Sequence, residues 1–173
     1  MIRIIIPLIA VVLFFLEPVF SLFSPIELGD VRYTLVPRFV IVYLVFIASF
    51  YDLRKAVIYG LLFGLLYDMY HIDIIGIYTF LYPLICFLAS VIIRQVHRST
   101  LTVMLLSVVM VVLLEMMSFF FASMISLTSI GFDVFLTARL VPTVIANSVF
   151  IILFGWIFRN LLYKRVREKQ VGM

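Results

Sequence analysis

The chain has 173 residues, of which 66% are hydrophobic and only 13% charged, and its mean hydropathy is +1.29. A soluble domain is about half apolar and about a quarter charged, so too little polar surface is present to cover a water-soluble globule, and that class is excluded. In such a chain the net charge of +4 reads as cytoplasmic loop anchors rather than as a nucleic-acid footprint.

A helix needs about 20 apolar residues to cross the hydrocarbon core, and six candidate spans follow along the chain. The first covers residues 4–23. Its opening, "MIRIIIPLIAVVLFFLEPVF", looks like a signal peptide but lacks a small-residue cleavage site, and further spans follow it, so it reads as a retained helix. It carries Glu17. The second, 35–51, begins beside Pro37 and Arg38. The third, 56–72, is the weakest, because only "AVIYGLLFGLLY" is continuously apolar before Asp68. Gly60, Gly64 and Asp68 stand four residues apart on one helical stripe. That stripe reads as a close-packing face ended by a polar clasp, either for an internal helix or for a partner.

The fourth span, 74–93, opens near Gly76 and contains Cys86, the single cysteine, which reads as packing filler with no disulfide partner. The fifth, 101–125, carries Glu115 and the run "EMMSFFFASM", a lipid-facing or packing surface. The sixth, 135–158, carries Arg139 and leads into the basic tail "YKRVREK" at residues 163–169. The spans leave no room for a separate soluble domain, so residues 1–173 are expected to form one integral membrane domain.

Charge orients the scheme. With the N-terminus inside, the cytoplasmic side receives Arg3, Arg54, Lys55, Arg94, Arg98, Arg159, Lys164, Arg165, Arg167 and Lys169, which is ten of the thirteen basic residues. The outer loops near 24–34, 68–74 and 126–134 receive Arg32 with Glu27, Asp30, Asp73 and Asp133. Both termini are then cytoplasmic, and the basic tail serves as an anchor that touches anionic lipid.

Four ionisable residues fall within the spans: Glu17, Arg38, Glu115 and Arg139. At 1.5 Å per residue, the two glutamates lie roughly 20 Å from the inner face and the two arginines about 5 Å below the outer face. All four therefore reach similar depth. The spacing predicts intramembrane ion pairs within or between the hairpins of spans one–two and five–six, closing the outer end. Equal numbers of acids and bases favour mutual neutralisation over a proton or ligand path.

No catalytic or cofactor motif is present. His71 and His97 fall on opposite sides, and His71 with Asp68 and Asp73 makes a poor zinc set. There is no Walker sequence and no glycine-rich loop at a helix start. Nothing supports an enzyme.

The stretch "LVPRFVIVYLVFIASFYDLRKAVIYGLLFGLLYDMYHIDIIGIYTF", residues 35–80, resembles the MreD family of bacterial rod shape-determining membrane proteins, in its Gram-positive form. Pro37-Arg38, the "YGLLFGLLYD" block and Gly76 carry the likeness, and "FLEP" in the first span and the basic C-terminus extend it along the chain. The resemblance implies an all-α, compact six-helix membrane bundle, similar to the substrate-binding subunits of energy-coupling-factor vitamin transporters. It also implies a non-catalytic component of the cell-elongation machinery that partners MreC and, through it, connects with MreB, RodA and a class B penicillin-binding protein. Pro37, Arg38, Gly60, Gly64, Asp68 and Gly76 match family-like positions and are expected in packing or partner contact, with the MreC helix as the natural guest of the glycine face. The alternative is a small transporter subunit that binds a solute in the outer half of the bundle.

Overall fold

The computed structural model describes residues 2–28, 31–72 and 74–171, so Asp30 and Asp73 of the expected outer loops lie outside the described residues. The protein is all-α apart from one small hairpin. Helix α1 spans Ile2–Ser21, and strands β1 (Ile26–Leu28) and β2 (Val31–Tyr33) pair antiparallel, with Glu27 opposite Arg32. Then come α2 (Phe39–Phe50), α3 (Leu53–Tyr67), α4 (Ile77–Gln95), α5 (Thr100–Met124), α6 (Phe132–Phe135) and α7 (Val141–Val171). A π turn, Asp68–Ile72, extends α3, and a second, Leu136–Leu140, joins α6 to α7 without a break.

Among the described residues four helical segments are long and apolar enough to cross a membrane: Ile4–Ser21, Ile77–Gln95, Thr100–Met124 and Phe132–Glu168. Their outward faces carry large exposed apolar side chains, such as Leu101, Leu105 and Val109 on α5 and Ile145, Val149 and Ile152 on α7. Such faces suit hydrocarbon as solvent, because a water-soluble surface breaks up patches of this size.

The centre of the bundle is α2. All twelve of its residues are buried, and it packs against α1, α3, α4, α5 and α7. "FVIVYLVFIASF" is apolar on every side because every side meets another helix.

Within the expected second span, 35–51, residues 35–38 are not helical, and α2 begins only at Phe39. Pro37 accounts for this, since its ring disfavours helical geometry at Val36 and it has no N–H to donate. A helix of twelve residues is about 18 Å long and the five non-helical residues 34–38 before it reach at most about 17 Å, a sum comparable to the thickness of a hydrocarbon core. Bare backbone at that depth must be satisfied by protein. Here α7 and the π turn before it do so. Thr34 N–H donates to the Ala138 carbonyl at 2.7 Å, Val36 N–H to Thr143 Oγ1 at 3.1 Å, and Arg38 N–H to Asn147 Oδ1 at 2.8 Å. Asn147 Nδ2 returns a bond to the Val36 carbonyl at 2.9 Å. The strap 34–38 is thus bonded along α7 much as a strand is bonded to a neighbour.

The sixth runs on as α7 to Val171, well past the expected end at 158, so that the basic tail is helical, while the first, third, fourth and fifth shift by a few residues. The third starts earlier, at Leu53, because Asp52 caps α3 by accepting from Arg54 N–H at 2.9 Å.

Candidate functional site

The end of the bundle that holds the strap gathers three of the four predicted intramembrane charges. Glu115 is fully buried on α5, and its two oxygens accept from two different arginines: Arg38 Nε at 2.6 Å and Arg139 Nε at 3.2 Å. Arg38, at the start of α2, is equally buried; its Nη2 donates to Tyr78 Oη at 2.7 Å, and its guanidinium lies 4.9 Å and 4.8 Å from the ring centres of Tyr67 and Tyr78. A buried cation is tolerable only with charge and aromatic partners arranged this closely. Arg139 sits in the π turn before α7 and keeps part of its side chain exposed.

Glu17 does not join the cluster. Its Oε1 accepts from Val40 N–H at 2.8 Å, satisfying an otherwise unpaired donor in the first turn of α2, and its Oε2 has no partner. The expectation of an ion pair at Glu17 is therefore corrected: among the described residues it caps a helix. Depth alone brought it to the right level, but α2 presents its N-terminal amides there rather than a cation.

The glycine stripe is occupied from within. A Cβ on Gly64 would stand 2.7 Å from the Tyr78 carbonyl carbon and 2.9 Å from Thr79 Cα, and one on Gly60 would stand 3.1 Å from Pro83 N. These are backbone atoms of α4, so no flexible side chain can yield. Of the two occupants the stripe left open, an internal helix or a partner such as the MreC helix, it is the internal helix α4 that fills this face. Asp68, one turn on, ties the same two helices together. Its Oδ1 accepts from Tyr78 N–H at 2.8 Å; its Oδ2 accepts from Gly76 N–H at 2.9 Å, Thr79 N–H at 2.9 Å and Thr79 Oγ1 at 2.7 Å. These are the free amides at the start of α4. Gly76 holds a φ of +129°, a conformation that favours glycine, and this lets the chain turn back onto Asp68. Pro37 is buried in the strap.

Beside the cluster a cavity of about 630 Å³ opens at the same end of the bundle. Arg38 and Arg139 line it together with Tyr67, Tyr78 and the strap residues Thr34 and Val36. Arg38 Nη1 is buried and, among the described residues, has no hydrogen-bond partner. His71, which stacks on Tyr67 at 4.3 Å, forms another part of the wall. Among the described residues no group of three His, Cys, Asp or Glu side chains is placed to hold a metal.

Sequence reasoning missed Thr143, Asn147 and the two tyrosines. Thr143 and Asn147 are four apart in an apolar helix, and that spacing is a legible sign of a polar seam. Tyr67 and Tyr78 left no comparable sign, because aromatic residues abound throughout the chain.

Comparison with known proteins follows the same outline. The family model described as "rod shape-determining protein MreD" matches residues 1–166. Rod shape-determining protein MreD of Bacillus subtilis is 30% identical over 170 residues, covering 96% of this chain and 99% of that protein. Cell shape-determining protein MreD of Streptococcus pneumoniae is 34% identical over 103 residues, covering 60% and 63%. No solved structure matches. The chain belongs to the MreD family.

Proposed function

We propose that this member of the family is a non-catalytic scaffold of the cell-elongation machinery, set in the bacterial cell membrane by six crossings with both termini cytoplasmic. In this reading it binds MreC and, through it, helps organise peptidoglycan synthesis by RodA and a class B penicillin-binding protein alongside MreB. The observation that carries the reading is the family match over nearly the whole chain. Because α4 fills the glycine face, MreC is assigned to the outer end, where the cavity and its apolar rim stand open. Ile130 and Val134 line that cavity and are more than half exposed.

The test is co-purification of MreC with the tagged chain from membranes. MreC is expected with the native chain and is expected to be lost with Val134→Arg, a surface change that leaves the melting temperature in detergent unaltered. Failure of the native chain to retain MreC overturns the scaffold reading. Retention undiminished by Val134→Arg overturns the outer-end assignment.

A second reading has one observation in its favour. The unpartnered Arg38 Nη1 beside a cavity of about 630 Å³ suits a small anionic or hydroxylated solute, as in a transport subunit. Saturable solute binding in detergent that disappears with Arg139→Ala would favour it over the scaffold.

A further inference from the structure

At the opposite, basic end, the last turn of α2, the start of α3 and the end of α4 line an open cavity of about 490 Å³. We propose that this cavity is a binding site for a phosphate group, carried either by an anionic lipid headgroup or by a small soluble phosphomonoester.

Three guanidiniums line it: Arg54 from α3, Arg94 from α4 and Arg98 from the link to α5. Among the described residues none of the three forms an ion pair. The single acid in the wall, Asp52, is committed to the Arg54 N–H at 2.9 Å. The lining is therefore left net positive, and its guanidinium forks match the geometry of phosphate oxygens.

Two buried serines lie deeper, one of them without a protein partner among the described residues. Ser49, on the central helix, is 1% exposed and borders the cavity, and among the described residues its hydroxyl has no hydrogen-bond partner. Ser90, from α4, is 3% exposed and borders the same space. A buried hydroxyl left unpaired is costly unless something in the adjacent space bonds to it. A phosphate oxygen held by the arginines above would do so. The volume lies in the range of small-ligand pockets and leaves room for a glycerol unit on the phosphate. The basic tail at 163–169 belongs to α7, and none of its residues lines the cavity.

The experiment uses the full chain in phosphatidylcholine nanodiscs. One arm adds phosphatidylglycerol and measures its retention by native mass spectrometry; the other titrates glycerol 3-phosphate by calorimetry. Binding in at least one arm is expected to fall about tenfold or more in Arg94→Gln/Arg98→Gln, which removes two charge-assisted donor groups, and severalfold in Ser49→Ala. It is expected to persist in the tail variant Lys164→Gln/Arg167→Gln. A response to phosphatidylglycerol assigns a lipid headgroup, and a response to glycerol 3-phosphate alone assigns a soluble ester. Absence of binding in both arms overturns the proposal, as does a loss in the tail variant equal to that in the arginine variant. Should the arginine variant unfold, Ser49→Ala decides, and binding equal to the native chain overturns the site.

Discussion

The two ends of the bundle treat charge in opposite ways. At the strap end Glu115, Arg38 and Asp68 are fully buried, Glu115 bonded to two arginines from the start of α2 and the π turn before α7, and Asp68 to the start of α4. At the basic end Arg54, Arg94 and Arg98 are exposed and, among the described residues, make no ion pair. The first arrangement holds the fold together, because removing one partner strands another in a low-dielectric interior. The second leaves its charge free for something outside the chain. The same residue type, arginine, thus serves as an internal strut at one end and as an unengaged donor at the other.

Substitutions can break or sharpen that contrast. The largest effect is expected from Gly64→Leu, since the new side chain meets α4 backbone rather than a movable side chain. The loss should exceed about 3 kcal/mol, and almost no monodisperse protein should survive detergent extraction on size-exclusion chromatography. Next comes Glu115→Gln, which leaves Arg38 buried without its counter-charge. A loss of about 3–5 kcal/mol is expected in thermal unfolding. Combining it with Arg38→Gln should cost less than the sum of the two single changes, and strict additivity would show the pair to be uncoupled.

Asp68→Asn keeps the shape but weakens the bonds to the start of α4, for about 1–3 kcal/mol by the same assay. Arg139→Gln should cost about 1 kcal/mol or less, because its bond to Glu115 is longer and its side chain is more than a third exposed. Smallest of all is Arg94→Gln, for which no change in melting temperature is expected. If it melts markedly lower, the basic end is structural too, and the contrast collapses.

Much of this arrangement was legible beforehand. Composition and apolar runs mark the helices, since lipid demands continuous apolar length whatever the packing. Depth along the spans places Arg38, Glu115 and Arg139 at one level, and Gly60, Gly64 and Asp68 on one stripe. Depth carries no information about azimuth, however. It could not tell that Arg38 and Arg139 share one carboxylate while Glu17 turns to the amides of α2. Nor does a glycine stripe name its occupant, because another helix of the same chain and a foreign one offer the same backbone surface. The strap at 34–38 escaped for a related reason: an apolar run beside a proline reads as helix until the residues that replace its hydrogen bonds are seen on α7.

The sequence by itself determined that this chain lives in lipid, where its helices lie along it, and which end carries the basic residues, because those properties follow from local apolar length and charge. Only the tertiary structure decided which helix is central, which acid meets which arginine, and what covers the glycines. Those depend on the rotation of each helix about its own axis, and that is set by neighbours far away in the chain.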